Sequence, residues 1–177
     1  MNNKFIIKWV FLIVGILASS ILYVDLAADL GGAFLVSGIY GFAYIISFLM
    51  ILIGIFQKLT GKKAKTLGRG LSIFIFMVPQ LFISTIISQY QVKWSLERGE
   101  TIIAAIDKYK SENNGMPISL EELVPNYMDK IPNTLIGLGH HSFEYRKIRE
   151  EYVLLFDIFP AKTKVYGFND RYWIEYD

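Results

Sequence analysis

The chain contains no cysteine. A disulfide framework and a thiolate metal site are both excluded, and the absence fits either side of a bacterial membrane. Histidine is nearly as scarce, with His140 and His141 adjacent and no others. Charge is missing over long stretches. Residues 34–56 (FLVSGIYGFAYIISFLMILIGIF) and 71–92 (LSIFIFMVPQLFISTIISQYQV) hold none, and residues 5–24 (FIIKWVFLIVGILASSILYV) hold only Lys8. No Asp, Glu, Arg or His lies deep in any of these runs. A proton relay or ion pathway therefore has no carrier, which weighs against a transporter.

What fills those stretches is apolar. Each run has about the 20 residues needed to cross a hydrocarbon core roughly 30 Å thick, so three transmembrane helices are expected within residues 1–92. Lys8, near one end of the first, is expected to snorkel to the interface. Ala33, Ser37 and Gly41 recur every four residues, a small-residue ridge expected to pack against another helix of the same chain. Pro79 invites a kink in the third span, and Gln80 can bond to a neighbouring helix.

The charge that remains is unevenly placed. Residues 1–92 carry seven basic residues (Lys4, Lys8, Lys58, Lys62, Lys63, Lys65, Arg69) against Asp25 and Asp29, whereas residues 93–177 carry 11 basic and 14 acidic ones. The acidic C-terminal half argues against nucleic acid as a partner. Lys4 and Lys8 precede the first span and GKKAKTLGR (61–69) separates the second from the third, while DLAADLGG (25–32) has no basic residue. The positive-inside rule then places the N-terminus and the 57–70 connection in the cytoplasm and the C-terminal half outside, in a bacterial inner membrane. The first span also has features of a signal peptide, with small residues at Ala18–Ser20 and Ala27–Ala28. Its length and the lack of a clean A-x-A site favour retention.

Beyond residue 92 the pattern changes. Leu96, Ile102, Ile103, Ile106 and Tyr109 lie at helical spacing with charge on the other faces, so the third span is expected to run on as one rod. Asn113-Asn114-Gly115 and Pro117 end it. Ser119-Leu120-Glu121-Glu122 reads as a capping box, with Ile118 and Leu123 at the positions of a hydrophobic staple. Strand signals follow at Phe143–Arg146, Tyr152–Phe159, Val165–Phe168 and Tyr172–Tyr176, with turns at Arg149-Glu150 and Asn169-Asp170. The fold class is thus three transmembrane helices (1–92) plus a small α+β domain (93–177), a long helix carrying a sheet of three or four antiparallel strands.

No constellation of residues carries chemistry. Glu121 and Glu122 are better explained by capping than by acid–base work, because neighbours on a helix point about 100° apart. His140 and His141 are expected to diverge in an extended loop and lack the spacing of a metal site. A Ser–His–Asp arrangement stays open, without a nucleophile elbow to support it. Gly137-Leu138-Gly139 lacks the context of a phosphate loop. Asp170, Glu175 and Asp177 hold enough oxygen for calcium but read more simply as a solvated edge. No catalytic, cofactor-binding or metal residue is assigned, and no cofactor is expected.

The stretch YKSENNGMPISLEELVPNYMDKIP (109–132), preceded by an apolar helix running into an amphipathic one and followed by FEYRK and a β-meander, resembles type IV pilins and the pseudopilins of type II secretion. The resemblance covers about residues 70–177 and implies a pilin-like fold. It does not extend to processing. Two spans come first, and Ile75 stands fifth after Gly70 where the family pattern has glutamate. The expected function is a membrane-anchored, extracytoplasmic interaction or assembly module, non-catalytic, working through an exposed sheet edge and an aromatic face. Its expected partners are membrane lipid and another protein of the membrane or periplasm. The alternatives are a membrane-bound enzyme using His140 or His141, and a small accessory or protective subunit acting through its transmembrane helices.

Overall fold

The computed structural model describes residues 3–28 and 30–176, without the side chains of residues 3–5, 8 and 30. Asp29, Asp177 and the side chains of Lys4 and Lys8 therefore lie outside the described residues. Three long helices come first: α1 (Asn3–Leu26), α2 (Leu30–Leu59) and α3 (Lys65–Asn113). All three are long and apolar enough to cross a membrane. They also present large apolar side chains outward, with Phe11 75%, Phe34 73% and Phe82 69% exposed. Exposed apolar surface of this extent is compatible with membrane association.

Polar and small residues set the packing between these helices. A Cβ on Gly54 would overlap Leu67, and one on Gly70 would come within 2.9 Å of the Ser47 carbonyl. Ser47 Oγ donates to Gly70 O at 2.8 Å, so α2 and α3 touch backbone to backbone near their connection. Gln80 does bridge helices, its Nε2 donating to the Tyr40 hydroxyl of α2. Ser84 Oγ donates to Gln80 O at 2.7 Å and lies 3.5 Å from Ser20 O on α1. The Ala33–Ser37–Gly41 ridge does not pack within the chain. Ser37 and Gly41 are exposed, and nothing lies within 4 Å of a Cβ built on Gly41. The contacts go instead to Gly54 and Gly70, which face the helix that the short 60–64 connection brings back.

α3 is the expected rod. Its 49 residues span about 73 Å at 1.5 Å per residue, running through Pro79 without interruption. It ends where Asn114 takes the left-handed conformation at φ 54°, one of the few non-glycine residues suited to it. Ser119 does not cap as expected. Residues Leu120–Leu123 form a 3₁₀ turn without a side-chain cap bond. The Glu122 carboxylate instead accepts from Ile118 N at 3.2 Å and from the Tyr109 hydroxyl at 2.8 Å. Nor does the staple close, since Ile118 is 83% exposed while Leu123 is fully buried. A 3₁₀ turn advances its side chains differently from an α-helix, and Leu120 and Leu123 turn inward together.

The sheet is an antiparallel meander, β1 (Glu144–Ile148), β2 (Glu151–Ile158), β3 (Lys162–Gly167) and β4 (Tyr172–Tyr176), in the order β1-β2-β3-β4. Leu154 pairs with Tyr145 and Tyr166, and Tyr166 pairs with Trp173. With side chains alternating along each strand, these residues, Phe156 and Ile158 face Ile102, Ile103 and Ile106 of α3 in one core. That core also takes in Val24 and Ala28 at the end of α1. Most of the sheet's aromatics therefore point inward, correcting the expectation of an exposed aromatic face, while Tyr172 and Tyr176 stay exposed on β4. The opposite face is mainly aliphatic: Val153, Leu155, Val165 and Ile174, with Tyr176, line a groove of about 530 Å³. The run YVLLFDIF was strongly apolar because both of its faces are.

Candidate functional site

A dense polar arrangement lies where the end of α1 meets the 133–142 loop. A stripe on α3, at i, i+4 and i+7, grips this loop by its backbone. Gln91 Oε1 accepts from Gly137 N at 3.0 Å while its Nε2 donates to Gly137 O at 2.9 Å. Ser95 Oγ accepts from Leu135 N at 2.9 Å, and Arg98 Nη1 donates to Asn133 O at 2.8 Å. Within the loop, Thr134 N donates to His141 O at 2.8 Å and closes its base. Ile136, fully buried, anchors it in the core. Gly137 and Gly139 both take positive φ, 56° and 76°, which a glycine adopts without steric cost.

The loop so held meets Asp25, in the last turn of α1. A Cβ on Gly137 would overlap Asp25, so only glycine lets the two segments come this close. Asp25 Oδ1 accepts from Leu138 N at 2.8 Å. The same oxygen lies 3.2 Å from His141 Nε2 and 3.5 Å from His140 Nδ1. The Asp25 side chain is 7% exposed, that of His141 21% and that of His140 62%, so the cluster is closed on the helix side and open on the other. The histidines do not diverge. Their rings stack with centroids 4.4 Å apart and planes 23° from parallel, because Gly139 turns the backbone before them. The hairpin turn of β2 and β3 clasps α1 on another side, with Ala161 N donating to Ala27 O at 3.0 Å and Phe159 edge-on to Tyr23.

Reading along the chain could not reach this cluster. Asp25 and His141 are 116 positions apart, and Asp25 counted there only as a charge in a loop free of basic residues. That lack of a nearby lysine or arginine was the one available signal, since it left a carboxylate in want of a partner. The other singled-out residues remain separate. Glu122 serves the 3₁₀ turn, and Glu175 pairs with Lys162 and Lys164, both at 2.9 Å. Asp170 lines the outer groove of the sheet. Among the described residues no serine or threonine hydroxyl is hydrogen-bonded to either imidazole. No protein-family model, curated protein or solved structure matches the chain.

Proposed function

We propose that the chain is a bacterial inner-membrane protein whose three helices cross the bilayer, with its N-terminus in the cytoplasm and its sheet outside. There it serves as a non-catalytic interaction or assembly module of pilin-like architecture. The observation that carries this reading is the outer face of the sheet. Among the described residues a groove lined only by the sheet and its turns runs along this face; Val165 and Ile174 are half-buried in it, Val153 and Leu155 lie buried at its floor, and Arg146, Arg149, Glu151 and Asp170 rim it. An apolar strip with charges of both signs at its rim fits a protein segment better than lipid, whose headgroups call for one sign. The partner is a protein of the membrane or periplasm, held at the height that α3 sets.

Orientation is tested on the chain's own cysteine-free background. A membrane-impermeant maleimide added to intact cells should label Glu112→Cys and leave Lys63→Cys unlabelled until the cells are opened; the reverse pattern sinks the topology. For the docking face, a photocrosslinking residue at Ile174 should give one discrete protein adduct that Val165→Asp abolishes. An equal adduct from position 112 would remove the outer face from consideration.

The Asp25–His141 contact favours a second reading, a membrane-bound enzyme in which the carboxylate orients His141 as an acid–base group. Replacing both histidines by alanine decides between them. The first reading expects both the cellular phenotype and the Ile174 adduct to persist, whereas the second expects the phenotype to be lost with the adduct intact.

A further inference from the structure

We propose that Asp25, His140 and His141 bind one divalent transition-metal ion of the zinc class, which bolts the end of α1 to the 133–142 loop. This site is independent of the docking face and of the partner inferred above. Three observations converge on it. First, one carboxylate oxygen and two imidazole nitrogens lie within 4.8 Å of one another. The two nitrogen–oxygen separations, 3.2 and 3.5 Å, bracket the edge of about 3.4 Å of a tetrahedron with ligand bonds near 2.1 Å.

Second, the charge around Asp25 is unbalanced. The carboxylate is buried at the C-terminal end of a helix, where the aligned peptide dipoles already carry partial negative charge. Among the described residues its only charged-group partners are the two imidazoles. A bound cation would offset that charge, and both rings reach the same carboxylate oxygen from which it would be held.

Third, the carboxylate donor is held by groups behind it, as metal ligands usually are. Leu138 N–H fixes the carboxylate oxygen at 2.8 Å, and Gln91 fixes the peptide next to it from both sides. The exposed flank at His140 leaves a path of entry and a coordination position for water. Imidazole donors disfavour calcium and magnesium, and the lack of thiolate disfavours copper(I), which leaves zinc and its neighbours in the series.

The test uses the full-length chain without a histidine tag, in detergent, stripped with EDTA and titrated with Co²⁺ and then Zn²⁺. One Co²⁺ per chain should bind with the visible absorption of a four-coordinate nitrogen–oxygen site, and Zn²⁺ should displace it. His141→Ala and Asp25→Asn should each weaken Zn²⁺ binding by about 100-fold or more, as loss of a direct ligand exceeds the 10- to 100-fold cost of losing an outer one. His140→Ala, the most exposed of the three, is the variant least able to disturb folding. It should also abolish the Zn²⁺-dependent rise in Tm while leaving the metal-free Tm unchanged. Failure of the wild-type chain to bind, or binding that survives His140→Ala together with His141→Ala, would overturn the site.

Discussion

Gln91 holds the peptide of Gly137 from both sides, accepting from its N–H at 3.0 Å and donating to its carbonyl at 2.9 Å. Because Gly137 is also pressed against Asp25 at a positive φ of 56°, the two residues set the height of the loop above α1. Gln91→Ala leaves the N–H and carbonyl of buried Gly137 without their Gln91 partners and should cost about 1–3 kcal/mol. Gly137→Ala adds a strained backbone and an overlap with Asp25, so its cost should be larger, about 3 kcal/mol or more. Thermal unfolding in detergent ranks the two, and amide exchange over residues 134–141 should rise in both. Gly137→Ala behaving like wild type would show that the loop does not rest on α1.

The turn after α3 separates the sequence reading from the structure. A capping box predicts that Ser119→Ala costs about 1 kcal/mol. Because no cap bond from the Ser119 side chain forms there, the expected cost is within about 0.5 kcal/mol of zero. Glu122→Ala removes the acceptor of both Ile118 N and the Tyr109 hydroxyl and should destabilise the turn more than Ser119→Ala does. The same hydrogen bond to Glu122 raises the Tyr109 phenol above its usual pKa, so Glu122→Ala should bring the tyrosinate absorption of Tyr109 to lower pH. A larger loss from Ser119→Ala than from Glu122→Ala would contradict this arrangement.

Local patterns made much of the architecture legible, and contacts distant in sequence did not. The rod of α3 could be read because apolar spacing gives way to Asn113-Asn114-Gly115, whose stop is chemical and local. β4 could be read from Tyr172–Tyr176 because a turn precedes it. The first half of β3 was hidden. Lys162 and Lys164 read as loop, yet each sits on the helix-facing side at the end of the sheet and pairs with Glu175. The inward turn of the aromatics was hidden as well. Val153 and Leu155 make β2 apolar on both faces, so composition could not say which face α3 would cover. The Asp25–histidine cluster was the least accessible, since it depends on α1 and the 133–142 loop meeting across most of the chain.

Gly99 lies directly beneath the indole of Trp173. A Cβ there would approach the ring to 2.7 Å, in a site that Phe143 closes on the other side. The indole Nε1 donates to Glu100 Oε1 at 2.8 Å, which fixes the ring above α3. Gly99→Ala should improve helix propensity by nearly 1 kcal/mol, but overpacking at this contact costs about 1–3 kcal/mol. The net effect expected is destabilisation, with a shift in tryptophan emission as the indole moves. Trp173→Phe should relieve part of the clash, so the double variant should lose less than the sum of the singles. Additive losses would mean that the two residues do not touch.

Glu175 ties β4 to β3 through two ammonium groups. Its hydrogen bonds to Lys164 and Lys162 lower its pKa from the ordinary 4.5 to about 2. A carboxylate depressed in the folded chain contributes stability above its unfolded pKa and loses it as pH falls through the folded value. The pairing should therefore hold fully above about pH 4.5 and fade between there and about pH 2. The carboxylate is partly exposed, so salt should weaken the effect. The side-chain carboxyl chemical shift of Glu175, followed by NMR in detergent, should titrate near pH 2 in the wild-type chain. In Lys164→Ala, which removes the larger of the two causes, the midpoint should move back toward 4.5. An unchanged midpoint in that variant would show that the ammonium of Lys164 does not hold the β3–β4 edge, and that the register of Thr163 opposite Tyr176 rests on the strand ladder alone.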